Sequence, residues 1–160
     1  MRHTTDGPLS PCPLRVLVVD DCPDTTTSFS VLLRIWGHDS RVAADGRTAL
    51  EVARTYRPHV VLLDLALPGG TNGLCVARQL RADFSLQPVV LVVLSGYATE
   101  ADRRESMLAG ADHHFAKPIE PEDLQRLLAS LRAVLPDQES SANGNGQPAG
   151  ARSAEQRLVS

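Results

Sequence analysis

Residues 60–63 read Val-Val-Leu-Leu, and the next residue is Asp64. An unbroken run of β-branched and aliphatic residues shows no alternation between an oily and a wet side, which suits a strand buried on both faces. Such strands belong to parallel sheets covered by helices. Asp64 then stands where the strand runs out. In open α/β sheets the ligand crevice lies outside the carboxyl ends of the strands, so an acid there is placed for chemistry rather than packing. Turn formation is the alternative, because Asp also starts turns and Pro68-Gly69-Gly70 follows shortly. Taken alone, the stretch leaves both readings open.

A second apolar run, Arg-Val-Leu-Val-Val over residues 15–19, closes on Asp20-Asp21. Adjacent carboxylates repel, and a cation relieves that cost most easily. Hard divalent ions such as magnesium take oxygen ligands and usually accept one or two carboxylates together with waters and phosphate. An acid cluster favoured by a helix dipole competes with this reading, because Pro23-Asp24 opens the next helix. That Asp64 ends another strand in the same way favours the metal.

The rest of the chain alternates between strand and helix. Helical spacing is expected over 24–36, where Phe29, Leu32, Leu33 and Trp36 recur and Gly37 supplies the stop. Further strands are expected at 40–44, 89–94 and 112–116, the first weak by composition. Further helices are expected at 47–56, 74–82, 100–109 and 120–134, with Arg57-Pro58 ending the first of these and Gly110 the third. Five strands alternating with five helices make a doubly wound α/β domain. Right-handed connections bring the carboxyl ends of all strands to one edge, so Asp20, Asp21, Asp64, Ser95 and Lys117 are expected to meet.

Composition bounds what surrounds this domain. Residues 1–13 carry three prolines and no apolar core, which reads as a flexible leader and not a secretory signal. The folded domain is expected over 14–135, and 136–160, rich in Ser, Asn, Gly and Gln, reads as a disordered tail. A net charge of -3 offers no electrostatic case for nucleic-acid binding. No apolar run approaches the roughly 18 residues of a membrane span. Cys12, Cys22 and Cys75 are odd in number and lack CxxC spacing, which argues against a disulfide framework or a zinc site and for a reducing, cytoplasmic setting. The carboxylates beside Cys22 are expected to raise its thiol pKa and lower its reactivity.

A carboxylate attacks phosphorus when nearby positive charge offsets the incoming anion. Asp64 is the candidate nucleophile, Asp20 and Asp21 the metal ligands, Ser95 a hydroxyl donor to a phosphoryl oxygen and Lys117 the cationic partner. Lys117 is the only lysine in the chain, every other basic side chain of the 16 being Arg. The exception suggests a need for a compact ammonium on a flexible stem, which a planar guanidinium does not imitate.

The strings VLVVDD (16–21), VVLLDLALPGGTNG (60–73), LSGYA (94–98) and FAKPI (115–119) are similar to those of the receiver domain of response regulators in two-component signalling. The likeness covers roughly residues 14–135, and four ordered motifs at fitting spacings make it specific. It implies a flavodoxin-like (βα)5 fold with a parallel sheet in the order 2-1-3-4-5, an order taken from the resemblance. It further implies that Asp64 accepts a phosphoryl group from a histidine kinase or histidine phosphotransfer protein. Mg2+ would be held by Asp20, Asp21, Asp64 and the backbone carbonyl of Ala66. Ser95 and the residue at position 114 would then switch the surface of the fourth helix, fifth strand and fifth helix, controlling an unknown downstream protein partner. A stand-alone receiver with no membrane or nucleic-acid partner is expected, with no dedicated enzyme activity beyond self-phosphorylation from a phosphodonor and slow self-dephosphorylation.

Three departures from the family pattern stand out. His114 occupies a place usually held by Tyr or Phe, and its imidazole titrates near neutrality, so it is either a pH-sensitive switch or a tolerated ring of suitable size. The turn Gly69-Gly70-Thr71-Asn72 is one residue longer than usual, so the third helix is expected to start differently. In the resembled family the positions two residues beyond the acceptor and the serine, here Ala66 and Tyr97, influence access of water to the phosphate, and a bulky Tyr97 over a small Ala66 is expected to slow hydrolysis. Two alternative readings fit the residues less well. A phosphatase of the haloacid-dehalogenase type needs a second acid two residues after the nucleophile, where Ala66 stands. A receiver-like interaction module that is never phosphorylated has no need of all five polar residues.

Overall fold

The computed structural model describes residues 12–69, 72–83, 86, 88–97 and 99–135. The expected leader lies outside the described residues apart from Cys12 and Pro13, as do the expected tail at 136–160, Gly70 and Thr71 of the long turn, and Ala98. The elements run β1 (Arg15–Val19), α1 (Pro23–Ile35), β2 (Asp39–Ala43), α2 (Gly46–Tyr56), β3 (Val60–Asp64), α3 (Gly73–Ala82), β4 (Val90–Ser95), α4 (Glu100–Leu108), β5 (His113–Ala116) and α5 (Pro121–Val134). All four strand pairings are parallel, and the sheet order is β2-β1-β3-β4-β5.

Burial explains why β1 and β3 carry no polar alternation. Val16, Val18, Val60 and Leu62 enter one apolar layer with Phe29 and Leu33 of α1 and Leu124 and Leu128 of α5. Their chain neighbours Leu17, Val19, Val61 and Leu63 enter the opposite layer with Ala49 and Ala53 of α2 and Val76, Ala77 and Leu80 of α3. Each face of the sheet is therefore a core, and removing a side chain such as Leu62 from it costs about 2–5 kcal/mol. The edge strand β2 reads weakly because only Ala43 of its five residues is buried.

Loop chemistry sets the ends. Gly37 adopts the left-handed φ of 82° after α1, as expected of a stop residue. Arg57 reaches the same region at φ 50° without being glycine; its carbonyl accepts from the Arg15 guanidinium, Nε at 3.0 Å and Nη2 at 2.8 Å. The third helix begins at Gly73, one residue earlier than expected, with the Asn72 side chain accepting from the Leu74 amide as its N-cap. Gly73 is obligatory there for a steric reason: a Cβ would lie 2.7 Å from the Asp64 carbonyl oxygen and 2.7 Å from the Leu65 Cα.

At the opposite end of the sheet two histidines start β1. The Leu14 amide donates to His38 Nδ1 at 3.3 Å and the Arg15 amide to His59 Nδ1 at 2.9 Å. Each ring must be unprotonated at that nitrogen to accept. Burial first, then the positive charge of Arg132 beside His38 and of Arg15 beside His59, holds both pKa values below the ordinary imidazole value of 6.5. The unfolded chain takes up protons near 6.5 while the folded chain resists them, so stability is full above that pH and falls as pH drops below it. Urea midpoints are expected to decline from pH 7 to pH 5, and the double variant His38→Gln, His59→Gln to show a shallower decline. An unchanged slope in the double variant would show that these rings do not carry the linkage.

Candidate functional site

The parallel register delivers the polar residues to one rim. Asp20 follows β1 directly, and its amide donates to the Ala43 carbonyl at the end of β2 at 3.1 Å. Asp64 closes β3 opposite Leu94, and Ser95 occupies the next position of β4, opposite Ala116 of β5. Lys117 follows at once, its amide donating to the Ser95 carbonyl at 2.7 Å. Asp20, Asp64 and Ser95 are all buried, between 3% and 5% exposed, whereas Asp21 faces solvent.

Lys117 is the electrostatic centre. Its ammonium lies 2.9 Å from Asp20 Oδ2 and 3.2 Å from Asp64 Oδ2. Burial alone would lower its pKa, but the hydrogen bond it donates to Asp20 and the charges of Asp64 and Asp20 outweigh that and raise it above the usual lysine value. The remaining carboxylate oxygens are occupied by backbone: Asp20 Oδ1 accepts from the Cys22 amide at 2.9 Å and Asp64 Oδ1 from the Ala66 amide at 3.1 Å. Ser95 Oγ accepts from the Tyr97 amide at 3.1 Å, which orients the hydroxyl and leaves its proton available to a further acceptor.

Carboxylate oxygens of Asp20, Asp21 and Asp64 lie within 4.8 Å of one another. Three hard oxygen donors at one point, two of them buried, fit a Mg2+ ion better than a soft-ligand metal. Ala66 is exposed and pairs with Asn72 in an isolated antiparallel bridge, so the turn after Asp64 is closed across its mouth. The residue pattern had not marked Asn72 as its partner, and only its side-chain amide before a helical run hinted at a role there.

Three expectations are revised or refined by the geometry. The Cys22 thiol lies below its usual pKa and not above it, the polar hydroxyl and amide of Thr25 at the start of α1 favouring the thiolate. Tyr97 is 76% exposed, so its ring is turned to solvent and shielding of Asp64 requires it to fold inward. His114 points to α4, where its Nδ1 is 3.0 Å from the Ser106 hydroxyl. Beside Lys117, a groove of about 500 Å3 between α1 and the segment after β5 is lined by Thr25, Phe29, Leu32, Pro118 and Ile119.

The sequence profile of the response regulator receiver domain matches residues 16–129. Among curated relatives, the DNA-binding response regulator MtrA of Mycolicibacterium smegmatis is 42% identical over 121 residues, covering 76% of this chain and 50% of the relative. The probable transcriptional regulatory protein TcrX of Mycobacterium tuberculosis is 40% identical over 123 residues, covering 77% of this chain and 50% of the relative. The chain thus spans about half the length of these relatives. Among solved structures, the receiver domain of the sensor histidine kinase PA1611 from Pseudomonas aeruginosa PAO1, with a magnesium ion coordinated in its active site cleft, superposes with a TM-score of 0.68 at 30% identity, covering 76% of this chain and 98% of that one. A putative response regulator from Chloroflexus aurantiacus superposes with a TM-score of 0.70 at 26% identity, covering 76% and 98% respectively.

Because Lys117 occupies Asp20 Oδ2, an incoming divalent cation competes with it for that oxygen. Lys117→Met, which keeps the length of the stem and removes the charge, is expected to tighten Mg2+ binding several-fold in a calorimetric titration. Equal affinities for the two proteins would mean that the ammonium does not contest the site.

Proposed function

Because the chain belongs to the response regulator receiver domain family of two-component signalling, we propose that Asp64 accepts a phosphoryl group from a phosphohistidine on a histidine kinase or phosphotransfer protein. The observation that carries this reading is the Asp64 carboxylate, buried at a strand end and 3.2 Å from the one lysine of the chain. In the transfer, a carboxylate oxygen forms the new bond to phosphorus while the phosphorus–nitrogen bond to the donor imidazole breaks, and the electron pair returns to that nitrogen. Asp20, Asp21, Asp64 and the Ala66 carbonyl would hold a Mg2+ ion, which when bound would supply positive charge against the phosphoryl oxygens. Lys117 supplies more, and its stem is long enough to shift from Asp20 toward the new anion. The Ser95 hydroxyl donates to a phosphoryl oxygen. The groove beside Lys117 offers the donor protein an apolar foothold at Phe29, Leu32 and Ile119.

The reading extends to output. Movement of Ser95 and His114 on phosphorylation changes the surface formed by α4, β5 and α5, and the protein acts by docking on a downstream partner. Among the described residues no helix is long and apolar enough to cross a membrane.

Incubation with a small phosphodonor and Mg2+, read by intact mass, is expected to add one phosphoryl group to wild type and none to Asp64→Ala. Equal labelling of both would remove Asp64 from the chemistry. Once labelled, the wild type is expected to lose its phosphoryl group slowly, with Tyr97 folded over the small Ala66 to hinder water. Tyr97→Ser is expected to shorten the half-life of the label, and an unchanged half-life would exclude the ring from that role.

A further inference from the structure

Helix α4 is held to the domain differently from the other four. Helices α1, α2, α3 and α5 each bury apolar side chains against the sheet, but the only buried residue within Glu100–Leu108 is Ser106. Its neighbours Met107 and Leu108 are 53% and 80% exposed. A helix anchored by a serine depends on what that serine touches. Ser106 Oγ lies 2.9 Å from the Asp102 carbonyl one turn back and 3.0 Å from His114 Nδ1 on β5.

Counting protons assigns the direction of these bonds. A hydroxyl carries one proton, and a carbonyl only accepts, so the Ser106 proton goes to Asp102 and the His114 ring must donate from Nδ1. The opposite assignment would put the ring proton on Nε2, which is enclosed and has no hydrogen-bond partner; a buried N–H without an acceptor is the costlier defect. His114 is thereby the Nδ1–H form, with the Nε2 lone pair facing no donor.

We propose that His114 and Ser106 form a polar latch that docks α4 on β5, the imidazole donating from Nδ1, so that release of this single bond frees α4 while the rest of the domain stays folded. Opening the latch leaves the Ser106 bond to Asp102 intact and lets the His114 lone pair reach water in the shallow cleft formed with Arg103, Met107 and Phe115. Little apolar surface opposes release. The first turn of α4 is stabilised by its own Thr99–Asp102 capping box, and Ala109 just past its end is buried in the core, so freeing the middle requires neither unwinding the helix nor global unfolding. The latch is a property of the unphosphorylated protein and does not depend on Asp64 accepting a phosphoryl group.

Two measurements on the full chain, made without phosphodonor, test it. The imidazole 15N shifts of wild type are expected to show a protonated Nδ1 and an unprotonated Nε2; the reverse assignment overturns the proposal. Amide hydrogen exchange supplies the second. Ser106→Ala is expected to accelerate exchange in α4 by roughly two- to tenfold, the range that one side-chain hydrogen bond supplies, with α5 and β3 unchanged. The same substitution placed in a His114→Phe background is expected to add little, because the bond is already gone. An equal acceleration in both backgrounds, or none in either, would show that the two side chains are not coupled and would end the proposal.

Discussion

The fold depends on burying β1 and β3 on both faces at once. Strands so enclosed cannot leave one side to solvent, so helices must return over both faces, and each return delivers the chain to the same end of the sheet. Asp20, Asp64, Ser95 and Lys117 are separated by up to 97 residues, yet each immediately follows or closes a strand. Their meeting is a consequence of parallel pairing. No local preference of the four residues would produce it.

Assembling acids at a buried rim opposes stability, since desolvation penalises each charge and the carboxylates repel. Lys117 answers both problems by bridging Asp20 and Asp64, and backbone amides two residues on take the free oxygen of each. The arrangement is strong and replaceable at the same time. Every contact made by the ammonium lies at the rim, so exchanging it leaves the strand pairing beneath untouched. Gly73 contributes from the other side, allowing α3 to start in contact with the backbone of Asp64 and Leu65, so the acid is braced by backbone that cannot repack easily.

Sequence patterns foretell the parts of this structure that arise from periodicity and end signals. The strand runs, the parallel architecture, the stop at Gly37 and the rim cluster all follow from apolar spacing and from the position of a few polar residues. What they miss has a common character. The left-handed Arg57, the close approach at Gly73 and the two histidines that accept β1 amides each depend on a partner brought near by tertiary structure or on one hydrogen bond's direction. The error at Cys22 is instructive. Counting neighbouring carboxylates points to a raised thiol pKa, whereas the polar groups of Thr25 at the helix start outweigh them and lower it.

The same distinction separates α4 from the core. For α1 or α5, one face supplies several leucines or phenylalanines, and the free energy of docking is spread over many contacts of modest individual strength. For α4 the corresponding face offers a serine, and docking is concentrated in one directional bond whose geometry is satisfied or lost as a unit. Distributed burial resists local opening because no single contact controls it. A concentrated bond sets one helix apart as the element of least local stability while leaving the sheet and its acid rim undisturbed. That helix packs next to β5, whose last residue directly precedes Lys117, so a single strand lies between it and the rim lysine.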